Sequence, residues 1–183
     1  RETFGPGERR PLPAISLPEE PPQLGKRTVV KEMAVSQATM SLSFRTVALT
    51  HPHLYPLDVL AYILANGNSA RLVRRIQEEQ QLVYAIEASS HTPTYTVGTL
   101  AVSAGLAPEQ LPAAEEAILQ ELYRLREELV SPQELARAKK QKLVDYVFER
   151  QTVEQQAQAL GLDMLSTYDT NFSEAYVRNI QQV

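Results

Sequence analysis

The chain has 183 residues, a formal net charge of -4 and no cysteine. That length supports one domain with a real core, and 43% hydrophobic with 22% charged residues is ordinary for a soluble globular protein. The acidic balance argues against general nucleic-acid binding, the missing thiols exclude a disulfide frame and thiolate metal ligands, and no apolar run approaches the ~20 residues of a membrane span.

Residues 1–26 read as a linker, because Pro6, Pro11, Pro13, Pro18, Pro21 and Pro22 gather there with Gly5, Gly7 and Gly25. The folded domain is expected over residues 27–183. Two strands are predicted first, over Arg27 to Val35 and over Gln37 to Leu49. In the second, Met40, Leu42, Phe44 and Thr46 alternate with Thr39, Ser41, Ser43 and Arg45, as in a half-buried strand. His51-Pro52-His53 makes a turn. A helix follows with Pro56 near its start and Leu57, Val59, Leu60, Ile63 and Leu64 on more than one face, which predicts a well-buried helix.

The stretch from Asn66 to Ile86 organises the rest. Gly67 can take the left-handed conformation that closes a helix, and Ser69 can cap the next one. Leu72, Val73 and Ile76 give a short second helix, to about Gln80, its apolar side. Arg74 with Glu78, and Arg75 with Glu79, are spaced to pair on its wet side. From Leu82 to Ser89 the period changes to two, placing Leu82, Tyr84 and Ile86 on one face of a strand. A turn at His91 to Thr94 leads to an antiparallel strand over Tyr95 to Ala104.

From Pro108 the chain reads as helical. Leu111, Ala114, Ile118, Leu122 and Leu125 step by three and four. Ser131-Pro132-Gln133-Glu134 combines a capping box with proline at the first helical position, opening a helix to about Phe148. Thr152 and Gln155 cap another, expected to stop near Gly161, and Asn171 with Glu174 caps a last one. This order predicts an α+β fold, an antiparallel sheet with helices packed on one face.

Little in the chain nominates chemistry directly. None of His51, His53 and His91 stands in H-E-x-x-H or H-x-x-E-H, and Pro52 makes the His51/His53 pair a solvated turn rather than a metal clasp. No nucleophile elbow or phosphate-binding glycine pattern occurs. Arg71, Arg74 and Arg75 could hold an anion, but Glu78 and Glu79 on the same helix favour an ion-paired, solvated face. Lys139, Lys140 and Lys142 read as the wet side of a helix. Tyr84 alone reads as a core or rim aromatic.

Several pieces together resemble a known family. They are Leu57-Asp58-Val59-Leu60-Ala61-Tyr62-Ile63-Leu64, then Gly67-Asn68-Ser69-Ala70-Arg71-Leu72, then Ile76-Gln77-Glu78 and Leu82-Val83-Tyr84. With Glu20-Pro21-Pro22-Gln23 before them and Ser131 to Lys139 after, their order resembles the second-half, non-zinc domain of the insulinase/pitrilysin-type zinc metallopeptidases, as in mitochondrial processing peptidase. The resemblance runs from about Glu20 to Val183. It implies that two homologous halves, on one chain or two, close around an unfolded peptide. The other half carries H-x-x-E-H and the zinc, so no cofactor is expected in this one. The family continues past the equivalent of Val183, so the resemblance implies a chain trimmed at both ends.

In active members the second half supplies an Arg and a Tyr, seven residues apart, that reach the substrate and the developing oxyanion. The tyrosine position matches Tyr84, which the resemblance nominates as a catalytic and substrate contact. The arginine position holds Gln77, a substrate-binding candidate without charge. The expected partners are a zinc-bearing half and a peptide, with no nucleic acid and no membrane span. The compartment stays open between bacterial cytoplasm and cell envelope. A family member that has lost catalysis and keeps a structural role, like core subunits of the cytochrome bc complex, is the alternative, and Gln77 speaks for it.

Overall fold

The computed structural model describes Pro18 and residues 20–183. Most of the proline-rich stretch expected as a linker lies outside the described residues. The chain divides into two units, 1–34 and 35–183. In the first, the described residues form neither helix nor strand. The strand expected over Arg27 to Val35 is therefore not formed, and Val29 is 92% exposed. The polar break at Lys31-Glu32 interrupts its pattern, and a strand without a paired ladder has nothing to hold it.

The second unit holds three strands: β1 (Ala38–Arg45), β2 (Ala85–His91) and β3 (Thr99–Leu106). They form an antiparallel sheet in the order β1-β3-β2. Its helices are α1 (Leu54–Ala65), α2 (Leu111–Glu127), α3 (Pro132–Phe148), α4 (Val153–Thr167) and α5 (Phe172–Gln182), with a π-helix at Val73–Glu79. The registers Met40↔Ala104 and Ile86↔Ala104, and Leu42↔Val102 and Ala88↔Val102, put all these side chains on one face. Leu64 of α1, Ile76 of the π-helix, and Ala114 and Ile118 of α2 pack against that face in a single buried cluster. This is the expected α+β arrangement.

The helix α1, expected to be well buried, packs into two separate clusters. Ala61 and Leu64 join the sheet cluster. Val59 and Ile63 join a second cluster with Ala138 of α3 and Ile180 of α5. That second core has a polar seam. Tyr62 Oη donates to Asp145 at 2.5 Å, and Tyr176 Oη donates to Asp58. Lys142 Nζ lies 4.8 Å from the Tyr62 ring centroid and 4.0 Å from Asp58. Lys142 is thus part of the packing between helices rather than a wet-face lysine.

The capping boxes at Ser131/Glu134 and Thr152/Gln155 both form. Two helix boundaries differ from expectation. The helix α4 passes through Gly161 and ends at Tyr168, whose φ of 59° supplies the left-handed closure. Asn171 makes no side-chain cap for α5. The buried carboxylate of Asp163, on α4, accepts from Ser173 N at 2.9 Å and Ser173 Oγ at 2.7 Å and does that work from a distance.

Candidate functional site

The organising stretch folds nearly as its residues direct, with one departure that decides where Tyr84 stands. Gly67, at φ 81°, closes α1. The short helix that follows is largely π-helix, and no side chain caps it. Ser69 offers its carbonyl to Arg137 Nη2 at 3.0 Å. In a π-helix the repeat widens to i→i+5. Arg74 accordingly pairs with Glu79 at 3.5 Å rather than with Glu78. Arg75 turns to Glu121 of α2 rather than to Glu79.

The helix closes through Gln81, at φ 53°, and Leu82 N–H reaches back to the Ile76 carbonyl at 3.0 Å. The chain then bends at Tyr84, and the alternation breaks there. Val83 is buried, Tyr84 is 58% exposed, and regular pairing starts at Ala85. Tyr84 therefore sits just before β2 and is not on the core face with Ile86.

Its backbone is held on both sides. Tyr84 N–H donates to the Gly105 carbonyl of β3 at 2.7 Å. The Gln77 side chain donates from Nε2 to the Tyr84 carbonyl at 3.1 Å. The structure thus brings the two nominated residues, Gln77 and Tyr84, together through the backbone of one of them. The phenol is left outside.

Tyr84 leads into β2, and the sheet it joins has a second face. Thr39, Ser41 and Ser43 of β1 and Glu87 and Ser89 of β2 are exposed on it. Ala101, Ser103 and Gly105 run between them on β3 and are half-buried. Ser103 Oγ donates to Ser41 Oγ at 3.1 Å. Small and hydroxyl-bearing side chains dominate its middle, with Glu87 on β2 and Arg45 and His91 at one end.

The arginine cluster behaves as a brace. Arg71 is only 7% exposed. Its Nε and Nη2 donate to the two Glu134 oxygens at 2.8 and 3.0 Å. Glu121, 4% exposed, lies 3.7 Å from Arg71 Nη1, contacts Arg75 and stands 3.6 Å from Arg124. The solvated face expected here holds for Arg74 and fails for Arg71, because α2 and α3 close over it. The Arg71 guanidinium beside Glu134 holds that carboxyl well below the usual range, at about 2. The Glu134 carboxylate accepts from Arg71 Nε and Nη2 and, at the α3 N-terminus, from Ser131 N–H and Oγ. Sequence reasoning missed this brace. Its one visible signal is Glu121, three residues after Ile118 on the apolar stripe of α2.

Among the described residues no group of three or more His, Asp or Glu side chains is placed to hold a metal ion. His51 and His53 pack ring against ring at 4.7 Å in their turn, and His91 ends β2 rather than lying in a loop. Among the described residues no helix is long and apolar enough to cross a membrane.

The second unit is thus a three-stranded antiparallel sheet layered by helices on one face, with polar, exposed strand residues on the other. Residues 1–142 match the family model described as the Peptidase M16 inactive domain, and the chain belongs to that family. It is 27% identical over 122 residues to the uncharacterized zinc protease YmxG of Bacillus subtilis, a match covering 67% of this chain and 30% of YmxG. The fold is similar to the inactive peptidase domain of a candidate zinc protease from Bordetella parapertussis. The TM-score is 0.72 and the identity 20%, covering 85% of this chain and 84% of that one. It is also similar to a chain of complex III2 from Candida albicans, with a TM-score of 0.71 and 19% identity, covering 83% of this chain and 38% of that one. The chain thus spans under a third of its curated relative's length, and it is the inactive domain of a zinc-protease-like protein.

Proposed function

We propose that this domain is the non-zinc wall of a two-part peptidase chamber, with Tyr84 touching the peptide held there. One observation carries the reading: an exposed phenol whose backbone is fixed by bonds on both sides, just before a strand whose outward residues are exposed and polar. Fixing the backbone lowers the entropy lost when a side chain engages a ligand. A phenol O–H carried on a backbone fixed in this way can donate to a peptide carbonyl as negative charge builds on it. Zinc, held by the H-x-x-E-H half, would activate the attacking water. The residues of this chain would bind and orient the peptide and exclude solvent.

The test mixes this chain, native or Tyr84→Phe, with a zinc-bearing half of the family and follows cleavage of an unstructured peptide. Tyr84→Phe keeps the ring and loses the donor. A fall of about tenfold or more in kcat/KM is the expected result. Unchanged cleavage removes Tyr84 from the mechanism.

Gln77 supports a second reading. With no charge at that position the oxyanion site is weaker, which suits a structural family member that has given up catalysis. Under that reading the mixed halves associate and no cleavage follows.

A further inference from the structure

We infer that Gln77 is a positioning residue, acting on the backbone of Tyr84 and not on the peptide. The inference rests on the proposed role of Tyr84 and deepens it. Gln77 stands where the family resemblance implies a substrate-contacting arginine, yet its Nε2 is already committed to the Tyr84 carbonyl at 3.1 Å. That carbonyl lies outside the regular ladder, which begins at Ala85.

The surrounding geometry makes the bond specific. The π-helix carries Gln77 one residue after the buried Ile76, so its stem is anchored. The Ile76 carbonyl accepts from Leu82 N–H at 3.0 Å, and Gln81 in the left-handed region folds the chain back. The loop from Gln77 to Tyr84 is thereby closed at two successive positions, once by backbone and once by the Gln77 carboxamide. On the other side, Tyr84 N–H is held by Gly105. Removing the Gln77 donor would leave Tyr84 tethered to β3 only, and its phenol would sample a wider range.

Two variants read this directly. Gln77→Glu keeps the size and removes the donor. Gln77→Arg keeps a donor and adds charge. In this chain alone, hydrogen exchange of the Tyr84 amide should quicken roughly fivefold in Gln77→Glu, the loss of one hydrogen bond, and stay near native in Gln77→Arg. With the zinc-bearing half, Gln77→Glu should lower kcat/KM in the native background. It should add nothing further in the Tyr84→Phe background, since it acts through that phenol.

Exchange unchanged in Gln77→Glu overturns the inference. So do losses that multiply in the double variant, or a Gln77→Arg chain more active than native, since each places residue 77 on the peptide. If the mixture cleaves nothing, the chamber reading falls, while the exchange rates still decide whether Gln77 holds Tyr84.

Discussion

Arg71 and Glu134 meet face to face: two guanidinium nitrogens donate to two carboxylate oxygens at 2.8 and 3.0 Å, across 63 positions of sequence. Glu134 also belongs to the capping box of α3. A single carboxylate thus starts one helix and fastens it to the residues that open the π-helix carrying Gln77. Geometry of this fork-to-fork kind is the strong form of an ion pair.

Arg71→Met should therefore destabilise the chain by about 3 kcal/mol, because it takes both guanidinium bonds from the largely buried Glu134 carboxylate and leaves it only the Ser131 cap. Urea unfolding followed by circular dichroism measures it. Arg74→Met, at an exposed pair, should cost under ~0.5 kcal/mol in the same assay.

Acid should undo the same pair. The hydrogen bonds from Arg71 lower the Glu134 pKa from 4.5 to about 2. A depressed carboxyl contributes its stability fully above the unfolded value, and that contribution is lost as pH falls through about 2. Unfolding free energy measured from pH 5 to pH 2 should fall, and Glu134→Gln should flatten part of that slope.

Alkali acts on the other core. Burial, first, and then the Asp58 and Asp145 carboxylates raise the pKa of Tyr176 and Tyr62 above the ordinary 10.0. Groups with raised values contribute fully below the unfolded pKa and lose that contribution as pH climbs past it. Stability should drop above about pH 10. Tyr176→Phe should cost about 1–2 kcal/mol at pH 7 and weaken the alkaline decline.

Gly98 admits no side chain. A Cβ there would overlap the carbonyl oxygens of His91 and Val47, and its own backbone bonds Thr46 N–H and the Val47 carbonyl at 2.8 and 3.1 Å. Gly98→Ala should cost about 2 kcal/mol or more, read as a lowered melting temperature. Gly25→Ala, where a Cβ meets nothing, should leave it unchanged.

Most of the fold is legible in the sequence because local signals agree with tertiary need. The box at Ser131 and Glu134, the two-sided apolar pattern of α1 and the alternation in β1 each name their element. The misses have physical causes. Arg27 to Val35 has β-forming residues and no ladder. A single short π-helix leaves no distinct mark in residue type, so a sequence reading assumes the α-helical spacing and misses both the Arg74–Glu79 pair and the exposure of Tyr84. Gln77 and Tyr84 are visible as a spaced pair through family resemblance. That one grips the backbone of the other requires coordinates. Arg71 looks solvated in sequence because the carboxylates that bury it come from α2 and α3.

The most direct measurement is cleavage of an unstructured fluorogenic peptide by a zinc-bearing H-x-x-E-H half, with and without this chain. Cleavage that requires both halves and stops with a zinc chelator is the expected result. Full cleavage by the zinc-bearing half alone, unaltered when this chain is added, would contradict the assignment of this domain as the second wall of the chamber.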